Sequence, residues 1–262
     1  MALAQAECQS NLVSVNGGRA EPPGAFTLGP WRKVASGIFL AVAEPDSVNL
    51  GLVVGSERAL LVDTGSSPAQ GRAVRESLRA ITDIGLAAVV VTHWHHDHAF
   101  GLAAFADLET IAHESVRDRL GSAAATAEAD RLGVDPAEVV LPNREIVVAA
   151  ALDLGGRRVE IAHLGRGHTD GDLVVVVPDA DLVFAGDLIE SAGPPSFGPD
   201  SVPDEWAGTL DGLIGLMTAQ TVAVPGHGEP VNREFVFEQR GRIAAQAAGQ
   251  PPQADRPTLP LV

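Results

Sequence analysis

Cysteine is almost missing from this chain. Among 262 residues there is one, Cys8, so no intramolecular disulfide can form. It lies in a polar lead-in without a local partner and reads as incidental. Tyrosine is absent altogether, which removes the phenol from the available catalytic groups. Basic residues are scarce: 18 Lys and Arg stand against 34 Asp and Glu, a formal charge of −16. A phosphate backbone needs a basic footprint, so nucleic acid is not expected as a partner. Anionic membrane surfaces are disfavoured for the same reason. No apolar run approaches the ~20 residues of a membrane-spanning helix. The opening MALAQAECQSNLVSVNGGRAEPPG lacks a basic stretch followed by a sustained apolar one. A signal peptide is therefore not expected, and a cytoplasmic protein is. There is no G-x-S-x-G and no P-loop pattern, hence no signal of a serine nucleophile or of a nucleotide cradle.

What is present is enough apolar material for a core, 45% of residues against 20% charged, so neither disulfides nor a metal is needed merely to hold the fold. Residues 1–28, rich in Gly and Pro, read as a mobile arm. Residues 33–42 read as one strand. Runs at 50–54 and 59–62 flank the hairpin signal Gly55-Ser56-Glu57-Arg58. Helical spacing covers 68–84, and AAVVVT at 87–92 is a fully apolar strand of the kind buried on both faces. A short helix is expected at 99–106, a strand at 109–113, helix over 114–132 and a loop over 134–143. Further strands fall at 145–149, 158–163, 173–177, 182–185 and 221–224, with helices at 204–217 and 234–248. The Pro-rich 249–262 reads as a tail. One domain, 29–248, is expected to hold all of this, with sheet against sheet and helices outside.

The chemistry concentrates in Thr92-His93-Trp94-His95-His96-Asp97-His98, directly after the buried strand. Imidazole and carboxylate are ligands of borderline divalent metals. A chain turning out of a strand can aim His93 and His95 at one point, and Asp97 and His98 at a second. Three later segments each place one more such side chain beside small residues at a strand end: Gly167-His168, Gly186-Asp187 and Gly226-His227. Trp94 and His96 occupy spacer positions, and Trp94 is a candidate cleft wall. Phe197, in the loop Pro194-Pro195-Ser196-Phe197-Gly198, is a candidate substrate contact. The segment 114–143 is a candidate for the opposite rim. His113 and His163 read as structural.

Taken together, His93-x-His95-x-Asp97-His98, Gly167-His168, Asp187, Gly226-His227 and the turn Val62-Asp63-Thr64-Gly65 resemble the metallo-β-lactamase-fold superfamily, over roughly residues 31–245. The resemblance implies a four-layer αββα sandwich of the α/β class. It implies a first metal on His93, His95 and His168, a second on Asp97, His98 and His227, Asp187 between them, and Asp63 orienting a ligand imidazole. The implied cofactor is two zinc ions per chain, with iron or manganese as alternatives. The implied activity is hydrolysis of an ester, thioester, lactone or lactam of a small-molecule substrate by a metal-bridging hydroxide, with Asp97 orienting it and relaying a proton.

Asp at 187, where dedicated β-lactamases have Cys or Ser, resembles glyoxalase II and a branch associated with quinoprotein gene sets. The 35 residues after His227 are too few for the glyoxalase II helical domain. The related lactonases use a tyrosine that this chain lacks. Two alternatives stand beside the hydrolase: a mononuclear iron persulfide dioxygenase on His93, His168 and Asp187, and a non-catalytic metal-binding module.

Overall fold

The computed structural model describes residues 25–249; Cys8 and all but the first residue of 249–262 lie outside that range. Two sheets account for the strands. In the first, β1 (Thr27–Leu28) and β2 (Arg32–Ala35) pair antiparallel with β3 (Ile38–Glu44), which pairs with β4 (Val48–Val54) and, through it, β5 (Ala59–Val62). From β5 the pairing turns parallel, through β6 (Leu86–Val90) and β7 (Glu109–His113) to β8 (Arg144–Ile146). Parallel neighbours need crossovers. These are α1 (Pro68–Ser77), then α2 (His96–Ala99), then α3 (Glu114–Leu120) with α4 (Ala123–Leu132).

The second sheet is an antiparallel meander of β9 (Ala149–Asp153), β10 (Arg158–Ala162), β11 (Val174–Val177) and β12 (Leu182–Glu190). Helix α5 (Pro203–Leu216) crosses over to β13 (Val222–His227), parallel to β12, and α6 (Arg233–Ala247) follows. The sheets touch through one residue pair of β4 and β13, Val48 with His227.

Side-chain alternation sorts these strands into layers. On β5, Leu60 and Val62 face the second sheet while Ala59 and Leu61 face α1; on β6, Ala88 and Val90 face inward and Val89 outward. Both faces are buried, which is why these strands read as unbroken apolar runs. The inner layer joins Ile38, Leu40 and Ile111 to Val159, Val175 and Phe184. Outside the first sheet lie Val74, Phe100, Leu102 and Val116; outside the second, Trp206, Leu210, Val236 and Ile243. The result is the expected four-layer αββα sandwich. Among the described residues no helix is long and apolar enough to cross a membrane.

Several expected elements differ in extent. The strand read at 33–42 is a hairpin, because the chain turns at Ser36-Gly37 and Gly37 adopts φ +67°. The helix read at 68–84 stops at Ser77 and continues only as a 3₁₀ turn, Leu78–Ala80. The helix read at 114–132 is two, broken at Gly121-Ser122, where Ser122 accepts from Ala125 N–H and caps α4. Helical structure begins at His96 rather than at 99, and β12 runs past 185 to Glu190. Strand β9 went unread. It is alanine-rich, so it shows little of the β-branched signature, and among the described residues it pairs only with β10. Thr27 and Leu28, at the end of the stretch read as an arm, pair with Ala43 and Glu44.

Candidate metal centre

The ends of β5, β6, β12 and β13 meet at one edge of the sandwich, beside the loop that follows β10. Each delivers a side chain there for a local reason. After β5, Asp63 takes φ +63°, unusual for a residue with a Cβ. In that conformation its carboxylate accepts from Thr92 N–H at 2.7 Å, Thr92 Oγ1 at 2.9 Å and His98 Nδ1 at 2.8 Å. After β6 the chain bends through Thr92–His95, and the bend brings His93 and His95 to one side, with His93 Nε2 3.1 Å from His95 Nδ1. It then enters α2, which swings Asp97 and His98 to the other. His168 sits in a turn closed by Asp172, which accepts from Thr169 N–H and Oγ1. Burial pushes the Asp172 carboxyl up to about 8. Asp187 lies within β12 and His227 ends β13.

Two groups of ligand atoms result. His93 Nε2 is 3.1 Å from His95 Nδ1, which is 2.9 Å from His168 Nε2. Asp187 Oδ2 faces this trio, 3.4 Å from His168 Nε2 and 3.8 Å from His93 Nε2. In the second group, Asp97 Oδ2 is 3.1 Å from His227 Nε2 and 3.5 Å from His98 Nε2. Asp187 turns its other oxygen here: Oδ1 is 3.2 Å from His98 Nε2 and 3.5 Å from His227 Nε2. One carboxylate therefore faces both groups, one oxygen to each.

The hydrogen bonds behind the rings set which nitrogen is free. Carboxylates and carbonyls only accept. His95 Nε2 therefore donates to Asp200, His168 Nδ1 to Ser196 O (3.2 Å), His227 Nδ1 to Asp46 O (2.9 Å) and His98 Nδ1 to Asp63. Thr92 Oγ1 gives its proton to Asp63 and accepts from His93 Nδ1 at 3.1 Å. Asp63 thus orients one imidazole in each group, directly and through Thr92. Replacing it by Ala is expected to weaken cation affinity about 10–100-fold. A competitive chelator titration checks this, and unchanged affinity would remove Asp63 from the centre.

Electrostatics separate the groups. Burial holds His93 well below the ordinary imidazole range and pulls His168 down to about 4. His93 and His168 therefore point neutral lone pairs towards His95. In the second group burial opposes charging, but Asp187 and Asp97 push His227 up to about 11. His98 is likewise raised against its burial by Asp97, Asp187 and Asp63. Asp97 and Asp187, although buried, are held well below the usual carboxylate range by the neighbouring imidazoles, His98 foremost.

Without a cation, a proton on His227 stands in for one. Its raised value means that this proton stabilises the ion-free fold fully below the ordinary imidazole value of about 6.5. That contribution is lost as pH climbs through about 11. A cation must expel the proton, so affinity in the second group is expected to rise with pH, up to about tenfold per unit for each proton released. Zinc titrations against a chelator between about pH 6 and pH 8 measure the slope; a flat profile contradicts the assignment.

A cation fits this donor set. His98 Nε2 and Asp187 Oδ1 are buried with no hydrogen-bond partner, and both aim into the centre. Unpaired buried polar atoms are costly, and imidazole nitrogens with carboxylates but no thiolate suit zinc and its first-row neighbours.

All seven side chains expected to hold metal come together here. Trp94 is half-buried and donates its indole N–H to Asp200 at 2.6 Å. Phe197 is partly buried, its ring packed on the buried Trp206 with centroids 5.0 Å apart. His96, at a spacer position, is partly buried and wedged between Glu128 of α4 (3.1 Å) and Asp46 (3.5 Å), which brings the 114–143 segment against the motif. His113 and His163 lie outside the centre, stacked on each other at 4.2 Å. Sequence reasoning missed Asp46, Thr92, Glu128 and Asp200. Only Thr92, beside His93, carried a local signal.

A family model described as the metallo-beta-lactamase superfamily matches residues 43–227. A metallo-beta-lactamase type 2 of Bacillus sp. (strain 170) is 27% identical over 203 residues, 76% of this chain and 73% of its own length. An acyl-coenzyme A thioesterase of Bos taurus is 25% identical over 226 residues, 76% of this chain and 79% of its own. Among solved structures, a metallo-beta-lactamase from Pontibacter korlensis superposes with a TM-score of 0.69 at 19% identity, covering 83% of this chain and 99% of that one.

Proposed function

The chain belongs to the metallo-beta-lactamase superfamily and is a metallo-hydrolase, and from that premise we propose that it is a dinuclear zinc enzyme cleaving an ester, thioester, lactone or lactam of a small molecule. The observation that carries this reading is Asp187, whose two carboxylate oxygens face two separate groups of imidazoles. When bound, a divalent pair supplies an acidified water and a Lewis acid for the carbonyl oxygen.

The residues do the rest. His93, His95 and His168 would each present one ring nitrogen to a first cation. Asp97, His98 and His227 form the second set, and Asp187 sets the spacing between them. Asp97, ionised and held by His227, offers an oxygen that can orient the attacking water and take its proton. The layers on either side keep all but the outer edge of the centre dry, strengthening each of these contacts. Ser, Cys and Tyr are not required.

The test is metal analysis of the purified protein followed by a hydrolysis screen of zinc-loaded protein over thioesters, lactones, aryl esters, phosphodiesters and β-lactams. Close to two zinc ions per chain and turnover of a carbonyl compound are expected. Failure to load any transition metal, or iron with oxygen uptake on a persulfide, would overturn the proposal.

A further inference from the structure

Asp187 stands on an irregular stretch of β12, and that stretch is held from outside the sheet; the inference drawn from this rests on the dinuclear reading above. Between the pairs Gly186–Pro225 and Glu190–His227, β12 advances four residues while β13 advances two. The extra length takes β12 out of register just where it carries Asp187. Irregularities of this kind re-aim a side chain beside a site. They also strand backbone polar groups, which need partners when buried.

The two sides of the stretch are satisfied differently. Towards β13, Ser191 N–H donates to His227 O at 3.1 Å. On the other side β11 has dropped away, since its pairing with β12 reaches only to Phe184. Gln239 of α6 takes its place. Its Nε2 donates to Leu188 O at 2.9 Å, and its Oε1 accepts from Glu190 N–H at 3.0 Å. A carbonyl and the N–H two residues on are the pair that a parallel neighbouring strand would engage. A carboxamide, with donor and acceptor on one group, can do the same from a helix.

Gln239 is fully buried, on the stripe of α6 that otherwise carries Val236 and Ile243. A polar side chain there costs stability unless it is paired, so packing alone would be served by Leu or Met. Trp206 of α5 adds a second donor to Leu188 O, at 3.2 Å, whereas the Glu190 N–H goes to Gln239. The two anchored residues lie close to both ligands. Leu188 directly follows Asp187, and Glu190 stands opposite His227. Ser191, next in the chain, also donates from Oγ to His227 O at 3.3 Å.

We propose that Gln239 is a positioning residue for the second group: by locking β12 at Leu188 and Glu190 it fixes Asp187 Oδ1 against His98 and His227. It acts through the backbone rather than on substrate.

Cobalt(II), whose visible absorption reports its coordination, reads this without turnover. It is titrated into ion-free parent, Gln239→Met and Ile243→Ala. Gln239→Met keeps the length of the side chain but offers neither donor nor acceptor. Ile243→Ala, one turn further along the same stripe, opens a cavity in the same helix–sheet interface and is expected to lower Tm at least as far. In Gln239→Met one of two binding steps is expected to weaken about tenfold or more while the other stays within about threefold, and the visible band of the two-ion form to shift. In Ile243→Ala both steps and the band are expected to match the parent. Parent-like steps and band in Gln239→Met, or losses in the two variants that simply track their Tm, overturn the proposal. If Gln239→Met does not fold, Gln239→Glu, which keeps an acceptor for the Glu190 N–H, is measured on the same criteria.

The parent separates this result from the dinuclear reading. Two ions in the parent with no change in Gln239→Met overturn the positioning role and leave that reading standing. One ion in the parent overturns the reading. Asp187 faces both groups, so the affinity for that ion is still expected to fall about tenfold in Gln239→Met, and an unchanged value overturns the positioning role as well. A parent that takes up no ion overturns both.

Discussion

Asp187→Ala is expected to lower kcat/KM by about 10³-fold, some 4 kcal/mol of barrier, with bound zinc falling from two ions per chain towards one. The reason is positional. His93, His95 and His168 still converge without Asp187, so the first group keeps three nitrogens. The second group keeps Asp97, His98 and His227 but loses the oxygen that His98 and His227 share. His98 and His227 then have only Asp97 between their Nε2 atoms, so a second cation would lose one of its anionic donors. The ion-free variant is expected to melt below the ion-free parent, because Asp187 is a major partner holding the His227 proton. Activity and two-ion stoichiometry surviving in Asp187→Ala would exclude Asp187 from the centre and with it the dinuclear reading.

Gly226→Ala tests the same carboxylate from outside the ligand set. A Cβ at Gly226 would collide with Asp187 Oδ1 and lie 3.1 Å from the Asp187 backbone nitrogen. Glycine is needed here because the two parallel strands carry Asp187 and His227 past each other at backbone distance. The methyl group is expected to rotate the carboxylate out of its shared position and reduce kcat/KM by about 10²-fold or more. The overpacking cost in stability is only about 1–3 kcal/mol. Gly208→Ala, on the exposed side of α5 with nothing within 4 Å, is the control. It is expected to raise Tm slightly and leave turnover unchanged. Gly226→Ala with parent-like kcat/KM and two bound ions would show that the carboxylate is not confined as described.

Much of the architecture was legible because the strands that build it are buried on both faces. Leu60, Leu61 and Val62, or Val89 and Val90, leave an apolar run without polar interruption, and such runs mark themselves. Edge strand β9 did not. Alanines at 149–151 satisfy a register with β10 but carry no preference of their own. Gly121-Ser122 ended one helix and capped the next, a break that periodicity alone passes over.

The ligands were legible for a different reason. Four ligand-type side chains within the six residues 93–98, and three more, His168, Asp187 and His227, each just after a glycine, are hard to place otherwise. Their supports were not. Asp46 and Asp200 are ordinary turn aspartates until loop closure puts a carbonyl behind His227 and a carboxylate behind His95.

The distribution of donors over the two sheets has one more consequence. The first group takes His93 and His95 from the N-terminal half and His168 and Asp187 from the C-terminal half; the second takes Asp97 and His98 from one and His227 from the other. Neither half alone owns a complete coordination set. Cations held by these two groups would rivet the halves across a seam where the strands share one residue pair, Val48 with His227. Loading would thus come late in folding, after the halves have docked, and stripping the ions would unfasten the sandwich from its outer edge inward.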